Sequence, residues 1–133
     1  MDATFIQKLK TDFPEFDFRE GVRFSFRFPK TIQIDPETKN GELLALHELG
    51  HALLGHKDFK TKIERLKMEC AAWEKARELA MEYGVEFDDE LMQDELDSYR
   101  DWLDKKMRCP KCGLTRYEDK NGECHCPRCE NFA

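Results

Sequence analysis

No stretch of the chain approaches the roughly 18 consecutive apolar residues that a membrane-spanning helix requires. The opening run MDATFIQKLK also lacks the hydrophobic segment of a secretion signal. The expectation is a soluble, unsecreted, cytoplasmic protein with no membrane partner. Blocks of like charge are absent too: the charged fraction is 38%, but it is spread over periodic segments, which excludes a disordered polyelectrolyte. Basic charge is short where most of the chain lies. Residues 1–104 carry 15 Lys/Arg against 24 Asp/Glu, net −9, which argues against nucleic acid as the primary substrate. Residues 105–133 carry 7 against 4, net +3. Four thiolates around one dication would reduce that excess to about +1.

At 133 residues, with 40% apolar residues and ten phenylalanines, the chain can bury one small core and carry an appendage. Residues 3–12 fit a short helix. Residues 22–28 alternate, apolar at Val22, Phe24, Phe26 and Phe28, and read as a half-buried strand. A second strand follows at 31–34, then a loop marked by Asp35, Pro36 and Asn40-Gly41. Helices are expected over 42–56, 59–83 (ended by Gly84) and 88–107. The last 26 residues hold little apolar material and have no route to order without metal. The expected domains are therefore 1–107 and 108–133.

Within the helix at 42–56, His47-Glu48-Leu49-Gly50-His51 matches H-E-x-x-H. Positions i and i+4 share a helix face, so both imidazoles can point at one ion. Glu48 is rotated by about 100° from His47, within reach of a reacting water without being a ligand. Chance alone produces this pattern in roughly one chain of this length in a few hundred. A catalytic zinc needs a third protein ligand and an open fourth position. The next helix offers one. With about 100° per residue, Ile63, Leu66, Cys70, Trp73, Ala76, Ala80 and Tyr83 form an apolar arc that leaves Leu79 outside. Glu69 falls inside that arc. A carboxylate in a buried stripe is costly without a compensating cation. Zinc supplies one; Arg77, in the same arc, is the rival partner. His56, five residues past His51, is neither one turn away nor at the metzincin spacing, and reads as a helix-terminal histidine facing the dipole.

The segment from Thr31 to Pro36, then His47 to His51, then Glu69 with Ala72, resembles the gluzincin metallopeptidases, most closely the ImmA/IrrE-type and minigluzincin proteins, over roughly residues 20–83. That resemblance implies His47, His51 and Glu69 as zinc ligands, Glu48 as general base, and the strand near 31–35 as the upper rim of a cleft. It also implies peptide hydrolysis; an extended substrate segment is then expected to pair antiparallel with an exposed strand edge, that of 31–35. Many gluzincins carry Asp or Asn four residues after the ligand glutamate to orient a histidine; here that position is Trp73. For an oxyanion donor the candidates are Tyr83, Arg77, Tyr99 and His56. SprT-type proteases also pair H-E-x-x-H with a cysteine module but use a later histidine, and none occurs between 57 and 124.

Cys109-Pro-Lys-Cys112-Gly113 and Cys126-Pro-Arg-Cys129 are two C-P-x-C knuckles 13 residues apart. Each tight turn offers two thiolates to one tetrahedral zinc, so Cys109, Cys112, Cys126 and Cys129 are expected to form a closed structural site, a zinc ribbon with a hairpin between the knuckles. Cys124 and His125 read as bystanders, and Cys70 as a small core residue. The expectation is thus an α+β protein: a small twisted sheet, an H-E-x-x-H helix, a second ligand-bearing helix, a third helix and a C-terminal ribbon. Two zinc ions are its cofactors. The leading function is zinc-dependent peptide hydrolysis. The alternative is a latent or vestigial metal-binding regulatory module whose ribbon docks a protein or nucleic-acid partner.

Overall fold

The computed structural model describes residues 1–130 and is a mixed α+β fold. Helix α1 (Ala3–Asp12) is followed by strands β1 (Asp17–Glu20), β2 (Ser25–Arg27) and β3 (Thr31–Ile34). Three helices follow, α2 (Gly41–Leu53), α3 (Lys62–Tyr83) and α4 (Asp89–Met107), then the short strands β4 (Tyr117–Glu118) and β5 (Cys124–His125). Among the described residues no helix is long and apolar enough to cross a membrane. The chain divides into two compact units, 1–57 with 68–88, and 58–67 with 89–133. The helix at 89–107, which the sequence groups with the first domain, thus falls in the same unit as the cysteine knuckles.

In the first unit, β3 is the central strand. It pairs parallel with β1 (Phe18 opposite Ile32) and antiparallel with β2 (Phe26 opposite Ile32). The period-2 alternation of a strand turns Ile32 and Ile34 inward, and both are fully buried with Leu46 and Leu49 of α2. Two expectations need correction here. The strand at 31–34 is not an edge, because both its sides are paired; β1 and β2 are the edges. And the alternating segment 22–28 is a strand only over Ser25–Arg27, with Val22 89% exposed. Alternation marks apolar positions but does not show which of them meets a partner. Short β1, with Phe18 as its one buried residue, left too weak a pattern to be read.

Helix α2 ends at Leu53, three residues sooner than expected. Gly55 adopts φ 68°, and its N–H and that of His56 return to the Ala52 and His51 carbonyls at 3.1 Å each. This is a Schellman cap, which only a residue tolerant of left-handed backbone closes cheaply. The buried face of α3 in this unit runs Glu69, Ala72, Trp73, Ala76, Leu79 and Ala80, the i, i+3, i+4, i+7 spacing of one helix face carried on to i+10 and i+11. Leu79 therefore lies inside the core although the arc drawn through Leu66 left it out, and Ile63, placed on that arc, is largely exposed.

In the second unit α4 buries Met92 and Leu96. The Arg65 guanidinium lies 4.7 Å from the Trp102 ring centre and 5.1 Å from that of Tyr99. Glu118 accepts from the Lys62 backbone amide at 2.8 Å, and a Cβ on Gly122 would collide with the Lys60 carbonyl, so the hairpin β4–β5 is held directly against residues 60–62. Both hairpin strands fall where the sequence places a hairpin between the knuckles.

Candidate metal centres

Close approach of α2 and α3 begins at Gly50, inside the H-E-x-x-H segment. A Cβ there would stand 2.7 Å from the Ala72 carbonyl oxygen and 3.3 Å from Lys75 Cβ. Lacking one, glycine lets the two helices touch backbone to backbone, and three side chains meet as a result. His47 Nε2 lies 3.0 Å from Glu69 Oε2, His51 Nε2 lies 3.2 Å from Glu69 Oε1, and the two Nε2 atoms are 3.1 Å apart. All three residues are buried, Glu69 being 8% exposed. Tetrahedral zinc with Zn–N and Zn–O bonds near 2.0–2.1 Å sets ligand atoms about 3.3 Å apart. The triad's spacings come close to that edge length. Two imidazole nitrogens and a carboxylate oxygen facing one point are all electron-pair donors, so the donor set fits a cation.

The electrostatics agree. Burial resists ionisation of Glu69, but hydrogen bonds from His47 and His51 outweigh it and hold the carboxyl well below its usual range. Burial lowers His47, against the opposing pull of Glu69, and so favours the neutral imidazole that a metal requires. The rival reading, a plain Arg77–Glu69 ion pair, has no support: Arg77 lies 3.8 Å from Glu74 and its guanidinium sits 4.1 Å from the Phe87 ring centre. Glu48, half-buried, follows His47 on the same helix.

The imidazoles are held by groups other than the Asp or Asn of the gluzincin pattern. The indole of Trp73 stacks on His47, with ring centres 4.3 Å apart and planes 30° apart, and is itself braced edge-on by Phe87. His47 Nδ1 is buried and has no hydrogen-bond partner among the described residues. His51 is the opposite case: its Nδ1 lies 2.9 Å from His56 Nδ1. Burial, then the adjacent His51, keep His56 below the usual imidazole value. Of the four oxyanion candidates, Tyr83 donates to Asp12 at 2.6 Å and Arg77 is engaged as above. Tyr99 packs with Arg65 in the second unit, so His56 is the candidate seen in contact with the triad.

The four ribbon cysteines also converge. Cys109 and Cys129 sulfurs are 3.8 Å apart, and those of Cys112 and Cys126 are 3.6 Å apart, close to the edge of about 3.8 Å that Zn–S bonds near 2.3 Å require. All four sulfurs lie within 4.8 Å of one another, and all are free thiols. The first knuckle turns through Gly113 at φ 76°. Backbone amides of Cys112 and Lys111 stabilise the Cys109 thiolate and bring its pKa down to about 6. Neighbouring Cys126 and Cys109 push the Cys129 thiol up to about 12. One thiolate is thus favoured and the next opposed, which is the repulsion a dication relieves.

Cys124 stands outside this group, 3.4 Å from Lys62 Nζ and 3.8 Å from the Met107 sulfur. His125 is likewise outside the four-cysteine group; it bridges Asp119 and Glu130 at 2.8 Å each and stacks on Tyr117. With Glu123, Asp119 and His125 form a third grouping of ligand-type atoms, more exposed than the other two. These contacts read as an ion-pair network that ties the hairpin together.

Compared with known protein families, with characterised proteins and with solved structures, the chain matches none. What the structure establishes is two groups of side chains arranged as metal sites, on an α+β fold with a zinc-ribbon-like C-terminal cluster.

Proposed function

We propose that the protein is a minimal zinc-dependent peptidase of gluzincin type, with His47, His51 and Glu69 holding the catalytic ion, Glu48 as general base, and a second, structural zinc on Cys109, Cys112, Cys126 and Cys129. The observation that carries this reading is Glu69: a buried carboxylate facing two histidine nitrogens at 3.0 and 3.2 Å, on a helix separate from theirs. Zinc, when bound, supplies Lewis acidity that polarises a carbonyl and makes water a nucleophile near neutral pH. Glu48 takes the proton from that water and returns it to the leaving amine. Glu69 and the two imidazoles balance charge, and Trp73 keeps the His47 ring in plane. An extended protein segment is the substrate, and β2, an edge strand packed against α2, is the site for its antiparallel addition. The ribbon docks a protein partner, and the free thiols suit a reducing, cytoplasmic compartment.

A second reading has its own support. His47 Nδ1 lacks the hydrogen-bonded carboxylate or amide usual for a ligand histidine, and Tyr83 and Arg77 are engaged away from the triad. Both features suit a latent metal-binding module with a regulatory role. Zinc analysis and turnover together separate the readings. Two zinc ions per chain are expected in the wild type and one in Glu69→Ala; two retained at full affinity removes Glu69 from the site. Glu48→Gln should keep both ions and lose cleavage of unstructured protein substrates. Wild type that binds two ions but cleaves no such substrate supports the latent module.

A further inference from the structure

His56 touches the triad through His51 and has no role in the proposed chemistry, and its position follows from how α2 ends. In a Schellman cap the residue two past the cap folds back over the residue at the third position before it. Here these are His56 and His51, joined by the backbone bond from the His56 amide to the His51 carbonyl at 3.1 Å. Gly55, at φ 68°, is the residue that permits the reversal. The side chains repeat the backbone pairing, with Nδ1 to Nδ1 at 2.9 Å and ring centres 5.1 Å apart.

Only one of two facing Nδ1 atoms can carry the shared proton. His51 Nε2 faces Glu69 and His47, so an ion held there would take its lone pair and leave the proton of His51 on Nδ1. His56 Nδ1 must then accept it, with its own proton on Nε2.

We infer that His56 is a positioning residue for the metal ligand His51: its Nδ1 accepts the His51 Nδ1–H and so locks both the tautomer and the ring angle of that ligand. For His51 this partner comes from the end of its own helix, whereas the position on the neighbouring helix, Trp73, stacks on His47 instead. This rests on the reading of His47, His51 and Glu69 as a metal site.

The test uses the full chain, titrated with zinc against a chelator of known affinity, for wild type, His56→Ala, His56→Asn and Glu69→Ala. The near-ultraviolet circular dichroism of each metal-free variant, to which the buried Trp73 of the same unit contributes, reports that this unit is folded. His56→Ala should weaken the first site by roughly 10–100-fold, the usual effect of losing such a partner. His56→Asn, whose side-chain oxygen can stand near the former Nδ1, should recover most of that loss. In the zinc-loaded wild type, nitrogen NMR of the imidazoles should show His51 protonated at Nδ1. Unchanged affinity in His56→Ala, a loss that His56→Asn fails to restore, or a His51 proton on Nε2 overturns the inference. A wild type that binds zinc only at the cysteines, with Glu69→Ala indistinguishable from it, overturns the underlying site reading instead.

Discussion

The two histidines of H-E-x-x-H are held by different means. His47 leans on an indole face and leaves a buried nitrogen without a partner, whereas His51 has a hydrogen bond. Trp73 is therefore both core and site. Trp73→Ala should cost about 3–5 kcal/mol in stability, the usual range for a large buried aromatic, and also weaken the first metal site. Trp73→Phe, which keeps a flat face, should lose less of both; urea unfolding and chelator competition measure the two effects. The same residues set a pH dependence in the metal-free protein. Folding lowers His47 from 6.5, so the unfolded chain takes up the proton more readily. The stability contributed by neutral His47 is complete above that value and declines as pH falls below it. Glu69 adds a second loss in the same direction at lower pH, since its carboxyl is held below 4.5 in the fold. Urea midpoints of the metal-free chain should fall steadily from about pH 7.5 to about pH 5. A flat profile would contradict the burial described.

Among the elements, the contact between α2 and α3 sets ligand geometry. Gly50 is legible in the sequence as an x of H-E-x-x-H on the apolar face of its helix, yet the structure uses its missing side chain to bring Ala72 and Glu69 close. Gly50→Ala places a methyl 2.7 Å from the Ala72 carbonyl oxygen, which backbone must move to relieve. The expected cost is about 1–3 kcal/mol, as for other overpacked sites, with weaker first-site zinc binding while the cysteine site keeps its ion. Strand order is likewise an element-level fact. The alternation at 22–28 correctly marks a strand region, and the run at 31–34 correctly marks another. Which is central depends on β1, whose sequence Asp17-Phe-Arg-Glu20 carries almost no signal. For that reason the proposed substrate strand would add to β2 in place of 31–35.

For the whole molecule, the second unit has few buried apolar residues, with Met92 and Leu96 as the buried part of α4. Order beyond residue 108 should therefore depend on metal. Cys126→Ser, which should remove one zinc per chain, and chelation, which should remove both, should each collapse the dispersion of amide NMR signals from 109–130; signals that stay dispersed would show the hairpin holds without an ion. Much of this protein was determined by local chemistry. Caps, helical periodicity and two cysteine knuckles are short-range patterns, so the four helices, the ribbon cysteines, the H-E-x-x-H pair and the buried placement of Glu69 could all be read along the chain. The tertiary structure alone decided which strand lies in the middle, that Leu79 is core, that Trp73 stacks on His47, and that His56 returns to His51. Each of these depends on a contact between residues distant in sequence or on a backbone reversal, and side-chain periodicity carries no information about either.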